Sequence, residues 1–361
     1  MYNVIRDWYY RHFTDPQAVI LMLGLTILFG IVILLGDILA PVLVAVVLAY
    51  LLDGLVTSMN RWGIPRTIAA TLVLLVFVVF ALGLLFGVVP LLSKQVTQLV
   101  RELPNMVTAG QDMLMTLPER YPTLFTVEQV DEVIASLRTE VGSIGQAIVS
   151  FSLSNVANIL VLGIYAVLVP LIVFFALKDK YIILKWLGKF LPKSSELSLA
   201  VWLEVDGKIA NYIRGKFIEI LIVWGVTYLT FVLMGLNFAM LLSFLVGISV
   251  IIPFVGAVAV TVPVGIIAFF QWGITPQFWY LLLAYQVIQI LDGNVLVPLL
   301  FSEVVNLHPL AIIVAVLFFG GLWGVWGVFF AIPLATLIQA VINAWPAARE
   351  PKLLHSEAAE L

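Results

Sequence analysis

The chain has 361 residues, of which 63% are hydrophobic and only 11% are charged, and its formal net charge is −3 at pH 7. Soluble proteins are roughly 45–50% apolar and about 25% charged. The composition therefore excludes a soluble globular domain and predicts an all-α polytopic protein of the lipid bilayer. The small net charge gives no support for a nucleic-acid partner. The absence of cysteine excludes disulfides and thiolate metal sites, and three scattered histidines predict no metal site.

The apolar segments begin near Ala18, and the first of them lacks a convincing cleavage site. We therefore expect a retained helix there and not a signal peptide. Helices of about 20 apolar residues can cross a membrane, and such stretches predict about eight membrane segments. These are residues 18–35, 38–52, 67–92, 155–177, 217–234, 238–270, 278–300 and 309–343.

Two of these segments are too long for a simple crossing. Residues 238–270 contain Pro253 and Gly256, and residues 309–343 contain several glycines. A straight helix of 33 residues would be about 50 Å long, against a hydrocarbon core of about 30 Å. We expect each segment to be tilted, broken or re-entrant.

The segments divide the chain into six parts. In order, these are N-terminal membrane helices (1–92), an extracytoplasmic amphipathic helical insert (93–154), a fourth membrane helix (155–177), a basic cytoplasmic connector (178–216), a C-terminal membrane domain (217–343) and a cytoplasmic tail (344–361). With the N-terminus inside, 14 lysines and arginines face the cytoplasm and 4 face outward. Because positive charge concentrates on the inner side, we expect both termini in the cytoplasm.

The insert contains a second local pattern. Thr126 and Gln129 fit a capping box, in which each side chain binds the other residue's backbone amide. Apolar residues then follow at alternating spacings of four and three, as in a heptad seam. They are Val130, Ile134, Leu137, Val141, Ile144 and Ile148. The seam could pack on its own subunit or mediate self-association.

Residues 220–348 carry only two charged side chains, Asp292 and Glu303. An acid within apolar membrane sequence is costly, so it is a functional-site hypothesis. Tyr285, Gln289 and Asp292 are spaced i, i+4, i+7 and share one helix face. The face is the candidate site for a cation or a polar solute.

The turn that follows Asp292 supports this hypothesis. Gly293 and Pro298 allow the helix to loosen, and loosened carbonyls together with the Asn294 amide could bind a cation or a polar solute. The alternative is structural: Asp292 stays protonated and hydrogen-bonds a neighbouring helix.

Three further features have two readings each. Pro253 and Gly256 indicate either a packing kink or a broken helix beside a substrate site. Glu303, Asn306 and His308 lie either in a loop at the membrane surface or in a gate or proton-handling site. A stripe of small residues predicts close helix packing. The stripe comprises Gly320, Gly324, Gly327, Ala331 and Ala335, with Gly321 beside it.

Short motifs are spread over almost the whole chain. They are Pro41 with Ala49–Asp53, Gly63–Arg66, Tyr212–Lys216, Ile252–Gly256, Asp292–Asn294 with Pro298, Leu307–Leu310, Gly320–Gly321, Gly324 with Gly327, and Ile332–Leu334. At these motifs the chain resembles the autoinducer-2 exporter family (AI-2E family) of permeases. Lys216 stands where this family usually has Gln, and Gly54 where Pro is common. If the Gln of the family contacts substrate, Lys216 indicates a different or more acidic solute; alternatively, Lys216 forms a salt bridge with Glu219 at i+3.

The resemblance implies about eight membrane segments, a homo-oligomer in the bacterial inner membrane, and export of a small polar molecule. Some members of the family are associated with the quorum-sensing signal autoinducer-2, and others with Na⁺/H⁺ exchange. The substrate is therefore open.

The chain has no phosphate-binding loop of the ATPase type and no obvious catalytic set. We therefore favour a gradient-driven secondary transporter over an enzyme, with H⁺ or Na⁺ as coupling ion and no other cofactor. In this hypothesis Asp292 binds the ion or the solute, with Gln289 and Asn294 as polar contacts. A Na⁺/H⁺ antiporter and a non-transporting membrane scaffold are the alternatives.

Overall fold

The computed structural model describes residues 16–120, 126–132, 134–136, 138–139, 142–143, 159–190, 196–301 and 307–344. Regular structure in these parts is helical. The helices are α1 (Pro16–Leu34), α2 (Gly36–Arg61), α3 (Arg66–Arg120), α4 (Ile159–Lys178), α5 (Lys180–Leu187), α6 (Glu196–Leu233), α7 (Ala239–Ser249), α8 (Val255–Trp272), α9 (Pro276–Leu291), α10 (Val297–Phe301) and α11 (Pro309–Ala344). A π-helical turn, Asp292–Leu296, joins α9 to α10.

Six helices in the described parts are long and apolar enough to cross a membrane. They lie within α2, α3, α6, α8, α9–α10 and α11, and shorter apolar helices occur at Met22–Leu34, Gly163–Lys178 and Ala239–Ser249. Only 6% of the most apolar window of α3 is buried within the protein. A soluble domain does not expose so much apolar surface, so the predicted all-α polytopic membrane fold is confirmed.

Helix α3 is much longer than the predicted span 67–92. Its 55 residues give a length of about 82 Å, far more than the hydrocarbon core of about 30 Å. The helix therefore continues without interruption from the apolar span into the sequence of the polar insert. In the same way, α6 begins at Glu196 and runs through residue 216, where the sequence suggested a separate connector.

The predicted segment 238–270 is a helical hairpin made of α7 and α8. The chain turns at residues 250–254, and Gly256 packs so closely on Ser249 that a Cβ would overlap the Ser249 carbonyl oxygen. Apolar side chains of both arms belong to one core cluster. The 11-residue arm α7 is about 16 Å long, too short to cross the core alone. The predicted break is confirmed.

Helix α11 also reverses direction. Gly324 has φ 58° and ψ −137°, outside the helical region. A Cβ on Gly327 would overlap the carbonyl oxygen of Phe319, eight residues earlier, whereas these positions lie about 12 Å apart in a straight helix. Phe319 of the first arm and Ala331 of the second share a buried cluster. This segment is therefore a second helical hairpin, as the sequence allowed.

The chain forms two compact units. The first comprises Met1–Leu51, Phe175–Arg214 and Phe301–Leu361, and it contains the α11 hairpin. The second comprises Leu52–Phe174 and Gly215–Leu300, and it contains the α7–α8 hairpin.

The predicted capping box is present in the second unit. The Thr126 amide donates to Gln129 Oε1 at 3.2 Å, and the Gln129 amide donates to Thr126 Oγ1 at 3.3 Å. Val130 and Ile134, the first residues of the heptad-like seam, are buried within the chain. Its remaining members, Leu137, Val141, Ile144 and Ile148, lie outside the described residues.

Candidate functional site

A buried ion pair lies on α6, in the second unit. Lys216 Nζ is 2.7 Å from Glu219 Oε2, and the two residues are only 4% and 2% exposed. Their i, i+3 spacing puts them on neighbouring positions of one helix face. The salt bridge suggested by the sequence is therefore present, and it lies inside the candidate membrane span Val205–Leu233.

The ion pair is bound to the turn of the α7–α8 hairpin. Lys216 Nζ donates a hydrogen bond to the carbonyl oxygen of Val250 at 2.9 Å. Val250 follows the last residue of α7, where carbonyl groups lose their intrahelical donors. The break near Pro253 therefore supplies a backbone acceptor for a charge carried by α6.

Asp292 contributes a second carboxylate to this region. Its charge interacts electrostatically with both Lys216 and Glu219. Asp292 Oδ1 is buried, and it has no hydrogen-bond partner among the described residues. We call Lys216, Glu219, Asp292 and the Val250 carbonyl the Lys216 cluster.

The backbone at Asp292 has the loosened geometry that the sequence predicts. The amide of Val297 donates to the Asp292 carbonyl five residues earlier, which defines a π-helical turn. Pro298 follows and has no amide hydrogen to donate. π-Helical turns are rare in proteins, and those that do occur often lie at functional sites.

The predicted polar face of α9 continues from Asp292 toward the hairpin. Gln289 Nε2 donates to Tyr285 Oη at 2.8 Å, and Tyr285 Oη donates to the Ala257 carbonyl at 3.3 Å. Thr261 Oγ1 donates to the same carbonyl at 2.8 Å. Tyr285 is fully buried, so this network fixes α9 against the first turn of α8, next to Gly256.

The arrangement has the chemistry of a charge-binding site. A buried carboxylate oxygen without a donor is costly in free energy. A proton, a cation or a hydrogen-bonding solute at Asp292 would remove that cost. The same cluster contains a fixed positive charge and a backbone acceptor, the Val250 carbonyl, at an interrupted helix. Interrupted helices are where membrane transporters bind ions and polar solutes.

Several predicted site residues lie outside the cluster. Asn294 is exposed, and its Nδ2 donates to the Ile290 carbonyl of the preceding turn at 2.9 Å. Gly293 and Pro298 are also exposed. His308 is exposed as well, and its Nδ1 accepts from the Leu310 amide at 3.2 Å, which caps α11. Glu303 and Asn306 lie outside the described residues.

The predicted glycines of residues 309–343 belong to the first unit. Gly320 packs against Val328, and Gly327 against the Phe319 carbonyl, so the small residues meet across the two arms of the hairpin. They do not form one stripe along a straight helix, because the chain reverses at Gly324. Among the residues that the structure describes, no side chain lies within 4 Å of the Cβ position of Gly321.

The sequence did not predict the burial of Lys216 and Glu219, because Lys216 was assigned to the basic cytoplasmic connector. The sequence also did not predict two polar contacts of the N-terminal motif. Tyr50 Oη donates to Asp206 Oδ1 at 2.7 Å in the first unit, and Arg66 forms a 2.6 Å ion pair with Asp53 in the second. The i, i+3 spacing of Lys216 and Glu219 was the available signal.

A model of the AI-2E transporter family matches residues 18–347 of the chain. The chain belongs to the AI-2E transporter family. It is therefore a multi-pass membrane transporter that acts in the lipid bilayer on small solutes, and the family resemblance seen in its motifs is confirmed.

Relatives of this AI-2E family transporter carry transport names. It is 47% identical over 346 residues to PerM of Escherichia coli K12, named as a permease, which covers 96% of this chain and 98% of PerM. YueF of Bacillus subtilis 168, named as a transport protein, is 27% identical over 306 residues, which cover 83% of this chain and 82% of YueF. TqsA of E. coli K12, named as an AI-2 transport protein, is 23% identical over 336 residues, which cover 90% of this chain and 91% of TqsA.

Proposed function

We propose that the protein is a gradient-driven secondary transporter of the bacterial inner membrane that exports a small polar molecule. The observation that carries this proposal is the environment of Asp292 on the π-helical turn. Its Oδ1 is buried and has no hydrogen-bond donor among the described residues, and its carboxylate interacts electrostatically with Lys216 and Glu219. Ion-coupled carriers place polar groups at interrupted helices in this way. The sequence has no phosphate-binding loop for ATP, which favours a gradient as the energy source and a transporter over an enzyme.

In this proposal Asp292 binds the coupling ion or hydrogen-bonds the solute. Gln289 supplies a further polar contact, and Tyr285 orients Gln289 through their hydrogen bond. Pro253 and Gly256 form the hairpin turn beside the site. The Gly320–Gly327 region is the corresponding turn of the other unit, where close backbone packing supports movement of one arm along the other.

The solute we propose is an autoinducer-2-like molecule, small, polar and hydroxylated. Support comes from the family and from the name of TqsA as an AI-2 transport protein. Hydroxyl groups of such a solute would donate to the buried Asp292 oxygen and accept from Gln289. A role in quorum sensing and assembly as a homo-oligomer belong to the same proposal.

The proposed topology has both termini in the cytoplasm. Helix α6 then runs outward, and the α7–α8 hairpin enters the membrane from the external side. Lys216 lies 17 residues before the end of α6 at Leu233, about 26 Å along the axis. The Lys216 cluster would thus lie deep in the membrane, toward its cytoplasmic face.

The test is an untargeted comparison of small polar metabolites in a deletion strain and its parent, inside the cells and in the medium. We expect one solute to accumulate in the deletion cells and to fall in their medium, and the intact gene to restore both. Measuring autoinducer-2 in the same samples tests the solute class. Identical metabolite distributions in both strains would contradict export.

A further inference from the structure

The Lys216 ammonium contacts two oxygen atoms of the kind that bind alkali cations, one from a carboxylate and one from a backbone carbonyl. It donates to the Val250 carbonyl at 2.9 Å and lies 2.7 Å from Glu219 Oε2. Asp292 interacts with it electrostatically. Carbonyls of interrupted helices and buried carboxylates are the groups with which membrane carriers hold Na⁺.

The charge of the cluster depends on Lys216. Helices α7, α8 and α9 contain no Asp, Glu, Lys, Arg or His. Glu219 and Asp292 carry two formal negative charges, and Lys216 offsets one of them. Replacing the ammonium by a neutral group would leave the buried Glu219 carboxylate and the nearby Asp292 carboxylate without a positive charge, which favours uptake of a cation.

Two carboxylate oxygens of the cluster accept no directed hydrogen bond among the described residues. Glu219 Oε2 contacts the ammonium without the angles of a directed hydrogen bond, and Asp292 Oδ1 has no donor among the described residues. Glu219 is 2% exposed, so water does not reach it freely. Glu219 Oε2 and the Val250 carbonyl oxygen contact the ammonium directly, so they are placed to ligate an ion at its position, and the Asp292 charge acts on the same position.

We propose that the Lys216 ammonium occupies the cation position of this cluster, so that the protein binds no Na⁺ there. Removing the ammonium opens a Na⁺ site formed by the Glu219 carboxylate and the Val250 carbonyl, with Asp292 as a second negative charge nearby. The consequence that Na⁺ does not drive transport rests on the proposed function. The binding consequence is independent of it.

The experiment measures binding of radioactive Na⁺ to purified full-length protein in detergent, for the wild type and Lys216→Gln. The wild type should show no saturable Na⁺ binding. Lys216→Gln should gain one saturable site per chain, and its thermal midpoint should be higher in NaCl than in N-methylglucamine chloride at equal ionic strength. The wild-type midpoint should be the same in both salts.

Two further variants test the ligands and the specificity of the gain. The double variant Lys216→Gln/Glu219→Gln should lose the new Na⁺ site, because it lacks one carboxylate. Lys185→Gln, at an exposed lysine on α5, should behave as the wild type.

Saturable Na⁺ binding by the wild type would overturn the inference. This wild-type measurement tests the inference even if Lys216→Gln does not fold. A monodisperse Lys216→Gln protein that gains no Na⁺ binding would overturn it as well. The metabolite comparison separates the two proposals, since unchanged metabolites contradict export and leave the Na⁺ result standing. Export that stops when Na⁺ is replaced by choline would contradict the transport consequence alone.

Discussion

At the scale of single residues, burying the charges of Lys216 and Glu219 costs free energy, and the stability of the protein is sensitive to the loss of either partner. Transferring two charges from water into a protein interior requires compensation by their attraction and by further hydrogen bonds. Here the Val250 carbonyl supplies one such bond. The pair is therefore poor as a source of stability, but removing one partner leaves the other charge buried.

Glu219→Gln tests this sensitivity. The substitution leaves the Lys216 ammonium without its nearest counter-charge, which for a buried pair costs about 3–5 kcal/mol, and attraction to Asp292 offsets part of this. We expect a clearly lower thermal midpoint in mild detergent. Asp179→Asn is the matched control, since Asp179 forms a long and partly exposed pair with Lys178 at 3.8 Å, and such pairs contribute about 0–1 kcal/mol. Equal midpoints for the two variants would contradict the buried pair.

At the scale of elements, the two hairpins depend on contacts between backbones. The turn of α7–α8 brings the Ser249 carbonyl against Gly256, and the turn of α11 brings the Phe319 carbonyl against Gly327. A backbone carbonyl cannot rotate away as a flexible side chain can. The arms would therefore have to separate to admit any larger residue, which would also move the Val250 carbonyl away from Lys216.

Gly256→Ala should destabilise the α7–α8 hairpin. Overpacking of this kind costs about 1–3 kcal/mol, and we expect a lower thermal midpoint together with reduced solute export. Gly265→Ala on the same helix is the control, because its Cβ would meet Leu282 at an ordinary 4.0 Å. There the substitution should be neutral or should stabilise the helix by up to about 1 kcal/mol. A Gly256→Ala protein as stable as Gly265→Ala would refute the close approach.

Gly324→Ala tests the second turn through backbone strain alone. Gly324 has φ 58° and open space around its Cβ position, so an added methyl group meets no neighbour. A residue other than glycine in this conformation costs about 1–3 kcal/mol. We expect a lower midpoint for Gly324→Ala and an unchanged or higher one for Gly321→Ala, where φ is not positive. The opposite order would indicate a continuous helix at this position.

Local patterns in the sequence predicted these elements better than they predicted the site. The Thr126–Gln129 box and the break at Pro253 follow from residues close together in the chain. The isolation of Asp292 in apolar sequence made it a candidate site residue, and its functional role stays a prediction. Lys216 and Glu219 were missed because they precede the long charge-free stretch, so that only the tertiary contact with Val250 reveals their burial. The length of α3 was missed because its polar half reads as a separate insert.

At the scale of the whole molecule, membrane topology is the main prediction. The excess of lysine and arginine in the predicted inner segments predicts that both termini lie in the cytoplasm. Two hairpins that each begin and end on one side of the membrane leave this count unchanged. Topology therefore has to be measured at residues outside the hairpins.

Single-cysteine labelling can measure this topology, because the natural chain contains no cysteine. We expect a membrane-impermeant maleimide to label Glu128→Cys in the external insert of intact cells. Lys185→Cys, on the exposed surface of α5, should react only after the inner membrane is permeabilised. The reverse labelling pattern would invert the topology and, with it, the side from which the α7–α8 hairpin enters.

The most direct test of the account is the transport rate of Asp292→Asn in proteoliposomes, with the solute found by the metabolite comparison. The substitution keeps the shape of the side chain and removes its charge, so a role in binding the coupling ion or the solute predicts a loss of at least about tenfold, equivalent to 1.4 kcal/mol. Asp179→Asn should transport as the wild type does. Wild-type rates for a folded Asp292→Asn protein would contradict the central role of Asp292.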